Sequence, residues 1–120
     1  MKNNYKTNIQ LLGLISGLKK QSRDNEVPLW RDIAVRLEGP TRNQRAVNLS
    51  RINRYTKQKD LILVHGKVLG AGELDHQITV AALGFSGGAR NKITAAGGSC
   101  LTIEELMAKN PEGSRVKIMG

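Results

Sequence analysis

PTRNQRAVNLSRINRYTKQK, residues 40 to 59, carries six cations (Arg42, Arg45, Arg51, Arg54, Lys57 and Lys59) and not one carboxylate. Val47, Ile52 and Tyr55 recur in it at roughly helical intervals, while Arg51 and Arg54 are close enough to share the other face. Asn48 stands where an N-cap would, just ahead of Leu49. The stretch reads as a basic loop leading into a short helix, with an apolar side on a core and a cationic stripe facing out. Solvated helix faces ordinarily mix both signs of charge. A stripe that nothing nearby neutralises therefore points to an anionic partner.

The surrounding composition supports this. The chain of 120 residues has a net charge of +9, which favours a polyanion over a small neutral ligand. The charge is lopsided: residues 1–60 hold 13 basic and 5 acidic side chains, residues 61–120 hold 6 and 5. The length suits a single domain with one modest core. We expect residues 1–59 to form its basic, mostly helical part and residues 60–120 its α/β part. Trp30, Tyr5, Tyr55 and Phe85 are the only aromatic residues, so Leu, Ile, Val and Ala must build the core, and base stacking on an aromatic platform is poorly supplied. The single cysteine, Cys100, excludes an intramolecular disulfide framework and suits a reducing cytoplasm. No apolar run approaches the ~20 residues of a membrane span, no signal-peptide pattern opens the chain, and the basic stretch has no large apolar face to insert into a bilayer.

Upstream, Thr7 and Gln10 form a capping-box pattern opening a first helix, whose apolar face runs through Ile9, Leu11, Leu12, Leu14, Ile15 and Leu18. Gly13 and Gly17 would weaken it unless another backbone packs there. Gln21 to Glu26 reads as a loop. Pro28 then starts a second helix, with Trp30, Ile33, Ala34 and Leu37 on its core side and Gly39-Pro40 at its end. Downstream, Leu61 to Val64 and Ile78 to Phe85 carry strand patterns, and Lys67 to Leu69 continues or pairs with the first. Ser86 to Gly88 turns into a helix from Ala89 to about Ala96, which Gly97-Gly98 ends. Cys100-Leu101 reads as a very short strand. Thr102 and Glu105 make a capping box opening a helix to Lys109, Asn110 to Gly113 is a turn, and Val116 to Met119 is a closing strand. The fold class is α/β: N-terminal helices plus a small layered unit.

Catalytic and cofactor motifs are absent or incomplete. GFSGG at Gly84 to Gly88 matches the G-x-S-x-G nucleophile elbow with Ser86 as nucleophile. Neither His65 nor His76 follows Ser86, however, and the chain is far shorter than that fold requires. The same turn could instead offer backbone N–H groups to a phosphate, with Arg90 and Lys92 supplying charge. GKVLGAG (Gly66 to Gly72) completes neither the dinucleotide nor the P-loop fingerprint; its glycines are turn or bulge residues. His65, His76, Asp75 and Cys100 lack metal-ligand spacing.

Four segments together resemble the archaeal and eukaryotic eighteen-e family of large-subunit ribosomal proteins, relatives of the bacterial fifteen protein. They are RLEGPTRNQRAVNLSRINRY (Arg36 to Tyr55), GKVLGAGEL (Gly66 to Leu74), VAALGFSGGARNKI (Val80 to Ile93) and NPEGSRVKI (Asn110 to Ile118). They occur in family order and span nearly the whole chain. Thr41 then Arg42 follow the proline where the family often has two basic residues. The chain also ends at Gly120, without the long basic extension of eukaryotic members, so an archaeal-type protein is expected. The resemblance implies an irregular β-β-α layered fold behind N-terminal helices, and a cytoplasmic, structural constituent of the large ribosomal subunit. It implies large-subunit rRNA and neighbouring ribosomal proteins as partners, with no catalytic residues, cofactor, metal, membrane or small-molecule substrate. The residues expected on RNA are Arg42, Arg45, Arg51, Arg54, Lys57, Lys59, Lys67, Ser86, Arg90 and Lys92, reading the phosphate backbone. The alternatives by class are a free-standing RNA-binding protein or chaperone and, remotely, a serine hydrolase using Ser86.

Overall fold

The structure, a computed structural model, describes residues 3–38 and 46–119, the side chains of residues 3–10 excepted. Arg42, Arg45 and the expected Gly39-Pro40 stop lie outside the described residues. Helix α1 spans Asn3–Asn25 and α2 Pro28–Leu37; strand β1 (Ala46–Asn48) leads directly into α3 (Leu49–Tyr55). Then come β2 (Leu61–Leu69), β3 (Thr79–Phe85), α4 (Gly87–Ala95), β4 (Ser99–Thr102), α5 (Ile103–Lys109) and β5 (Val116–Met119).

All five strands run parallel. β2 pairs with β3, and β3 with β4; on its other side β2 is shared, its first half with β5 and its second with β1. Parallel sheets need both faces covered, and strand alternation here feeds two cores. Leu63 and Ala81 join Trp30, Ile33, Leu37, Leu106 and Ile103 under α1, α2 and α5. Their neighbours Ile62, Val64, Val80 and Ala82 join Leu49, Ile52, Ala89 and Ile93 under α3 and α4. Each fully buried aliphatic side chain contributes ~1.5–3 kcal/mol of transfer free energy. The register of β2 shifts between Val64 and Lys67, so Gly66 does sit at a bulge.

Several expectations hold in detail. Trp30, Ile33, Ala34 and Leu37 are all buried, and the Trp30 indole donates to the Pro111 carbonyl at 2.8 Å. The Thr102–Glu105 capping box forms reciprocally, at 3.0 and 2.8 Å. Gly97, at φ +85°, ends α4 with its own N–H on Thr94 and that of Gly98 on Ile93, a Schellman closure.

Others need correction. α1 begins by Asn3, so Thr7 lies inside the helix, and it continues to Asn25 through the expected loop. Nothing in Gln21 to Asn25 breaks a helix, and those polar groups work: the Gln21 amide donates to the Met107 carbonyl, and the Ser22 hydroxyl to that of Val27. The break comes at Glu26, with φ +55°. Gly13 and Gly17 face open space, and Leu12 is exposed, so the apolar face of α1 is narrower than its sequence suggests. Val47 is a strand residue, paired with Val68.

Gly98 abuts the Ile78 carbonyl, and a Cβ there would lie 2.1 Å from that oxygen. Gly98→Ala is expected to cost ~1–3 kcal/mol, whereas Gly17→Ala, in open helix, should gain ~0.5–1 kcal/mol. Denaturant unfolding of both variants checks the pair.

Candidate nucleic-acid interface

Helix α3 is only seven residues long, too short to persist without tertiary support. Leu49 and Ile52 anchor it in the core. Residues 70–77, which link β2 to β3, strap it from outside. At its start, the Ser50 N–H donates to the Ala71 carbonyl at 3.0 Å. Gly72, at φ +94°, lies so close that a Cβ would meet the Ser50 Cβ at 2.5 Å. At its end, the side-chain amide oxygen of Asn53 accepts from the Asp75 N–H, and that of Gln58 from the Gln77 N–H. His76 lies between Asp75 Oδ1 (2.8 Å) and Thr56 Oγ1 (2.7 Å). The buried Thr56 hydroxyl donates to the Ile52 carbonyl at 2.6 Å, so that bond takes its proton and the trio is a clamp.

Asn48 occupies the N-cap position with extended backbone, but its side chain makes no capping bond; the strap supplies the acceptor for Ser50 instead. Tyr55, expected on the core side, is 61% exposed.

This scaffold displays cations. Arg51 and Arg54 on α3, and Lys57 and Lys59 just beyond it, are exposed. Among the described residues, no side-chain hydrogen bond or ion pair engages any of the four. The chain turns back through Lys59, at φ +69°, whose N–H donates to the Gln77 carbonyl at 2.6 Å. Lys67 is exposed too, but Val68 beside it packs with α3 and α4, so alternation puts Lys67 on the opposite face of the sheet.

The other expected residues are differently employed. The Ser86 hydroxyl caps α4, accepting the Ala89 N–H at 3.1 Å. The Lys92 ammonium donates to the carbonyls of Gly70 and Gly72, at 2.9 and 2.7 Å, with Glu73 at 3.8 Å. It fastens the strap. The Arg90 guanidinium lies 5.2 Å from the centre of the Phe85 ring, within cation–π range, and the side chain is exposed.

The structure also assembles an open groove of about 550 Å3, lined by Arg36, Arg51, Tyr55, Lys117, Ile118 and Met119. Arg36 and Lys117 were not expected at the site. Lys117 is on β5, which its parallel pairing with β2 brings beside α3, and Arg36 is on α2, which packs on the sheet through Trp30, Ile33 and Leu37. Arg36 pairs with Asp32 at 3.2 Å, and Lys117 with Asp60 at 2.8 Å. The Lys117 hydrogen bond, and next that of the Lys57 N–H, hold the Asp60 carboxyl below its ordinary value of 3.8.

The family described as "Ribosomal protein 60S L18 and 50S L18e" matches residues 2–120. The chain belongs to this family. It is 55% identical over 114 residues to the large ribosomal subunit protein eL18 of Methanosphaerula palustris, covering 95% of this chain and 94% of that protein. It is 50% identical over 119 residues to the protein of the same name from Methanococcus maripaludis, covering 99% of each. The corresponding Methanothermobacter thermautotrophicus protein is 49% identical over 114 residues. Among the described residues, no helix is long and apolar enough to cross a membrane.

Two outcomes follow from the division of labour among these charges. Lys92→Met should destabilise the fold by ~1–2 kcal/mol, whereas Arg51→Ala and Arg54→Ala should change it by no more than about 0.5 kcal/mol, measured by denaturant unfolding. Asp60, with its lowered pKa, stabilises the fold fully above its ordinary value, and that contribution is lost as pH falls through the lowered one. Asp60→Asn should therefore be less stable than the parent at neutral pH, and the gap should close in acid below 3.8. Unfolding midpoints across an acid titration will show whether it does.

Proposed function

We propose that this protein is a structural constituent of the large ribosomal subunit, acting on the ribosome in the cytoplasm, where it binds and stabilises folded rRNA. Family membership across residues 2–120 is the observation that carries the reading. The unneutralised stripe of α3 supplies the physical means. Arg51, Arg54, Lys57 and Lys59 stand ready to pair with phosphates, and guanidinium groups can do so through two parallel hydrogen bonds. Arg42 and Arg45 precede them in the chain, and Lys67 and Arg90 extend the cationic surface to other parts of the molecule. Ser86 and Lys92 serve the interface indirectly, by capping α4 and holding the strap. Neighbouring ribosomal proteins are the further partners of this role. It requires no catalysis and no cofactor: the Ser86 hydroxyl is a helix cap, and His76 faces Thr56 rather than Ser86.

Phosphate neutralisation releases counterions and makes binding steeply salt-dependent. With about five phosphates engaged, log K against log salt should fall with a slope on the order of −4, and Arg51→Ala should reduce that slope by about 1. In a cell lysate, the protein should follow the large subunit through a sucrose gradient before and after magnesium is lowered. A slope near zero, or protein that stays at the top of both gradients, would refute the reading.

A further inference from the structure

We propose that the groove between α2, α3 and β5 receives an unstacked nucleotide of the RNA, its base on the Tyr55 ring and its phosphate on Arg51. The inference rests on the RNA-binding reading above and adds recognition of a base to contact with the backbone.

Tyr55 differs from the other aromatic residues whose side chains are described. Trp30 is buried, and Phe85 is half-buried with Arg90 across its ring. Tyr55 is 61% exposed and lines an open cavity. Arg51, one helical turn before it on α3, lies on the same side and lines the same cavity. Ile118 and Met119, half-buried residues of the strand β5, also line the groove. Arg36 and Lys117 also line it, and among the described residues no carboxylate does. Both already hold an acidic partner, which leaves Arg51, among the described residues, as the groove's cation without an ion pair. At about 550 Å3, the space falls within the range of small-ligand pockets.

The chemistry selects the occupant. A continuous duplex keeps its bases stacked and paired, and can offer this groove only phosphate and ribose. An unstacked nucleotide offers a π face as well, and such bases are what proteins read on aromatic rings in loops and bulges.

The test compares three RNAs with the intact protein: an uninterrupted duplex, the same duplex with one bulged nucleotide, and that duplex with an abasic bulge. The wild type should bind the bulged RNA more tightly than either control, by on the order of tenfold. Tyr55→Ala should erase that preference, and Tyr55→Phe, which keeps the ring, should retain it. Equal binding of all three RNAs by the wild type would overturn the inference, as would a preference surviving in Tyr55→Ala. In both cases, salt-dependent duplex binding would leave the phosphate-backbone reading standing. If the wild type binds none of the three, both readings fall.

Discussion

Gly70 and Gly72 leave no room for a side chain, and the position of α3 depends on that. A Cβ on Gly70 would come within 2.8 Å of the Ala89 backbone nitrogen, and one on Gly72 within 2.5 Å of the Ser50 Cβ. The strap is thus wedged between the starts of α4 and α3, which lie on one face of the sheet. Lys92 reaches from α4 to the carbonyls of both glycines, so a single ammonium group ties the strap to the second helix. Because the strap continues along α3 to Thr56 and Asn53, a helix with no independent stability is fixed at both ends. Its cations are then presented from a surface fixed at both ends, so that little backbone entropy would remain to be lost on docking a polyanion.

The same arrangement explains which parts of the molecule could be read from the residues. Local signals were legible: the spacing of Trp30, Ile33 and Leu37, the Thr102–Glu105 box, the glycines after α4, and the apolar runs that became β2 and β3. Each of those elements is specified by its own neighbours in sequence. Val47 was misread because three strand residues beside a helix offer too short a pattern to show a period of two; its partner Val68 lies far along the chain. Tyr55 was misplaced because its spacing from Ile52 fits a core face, yet the helix ends at it and leaves the ring outside.

The candidate site was legible as charge and illegible as geometry. Arg51, Arg54, Lys57 and Lys59 stand out because no acid interrupts them, and they are indeed exposed together. That Lys92 is a fastener and Ser86 a cap depends on where the strap and α4 come to lie. Lys117 joins the site through the pairing of β5 with β2, and Arg36 through the packing of α2 on the sheet, long-range contacts that no local spacing encodes.

Net charge alone overstates what is available to a partner. Lys19 is paired with Glu38, Arg36 with Asp32, Lys117 with Asp60, and Lys92 is committed to the strap. A phosphate approaching any of these must compete with an existing partner, and exposed pairs hold each other by up to ~1 kcal/mol. At α3, among the described residues, none of Arg51, Arg54, Lys57 and Lys59 forms an ion pair with a carboxylate. Among the described residues, uncompensated positive charge is therefore concentrated on and just after the helix that the strap holds still. The distribution of the acids, as much as that of the bases, determines which face of the molecule is left with uncompensated positive charge.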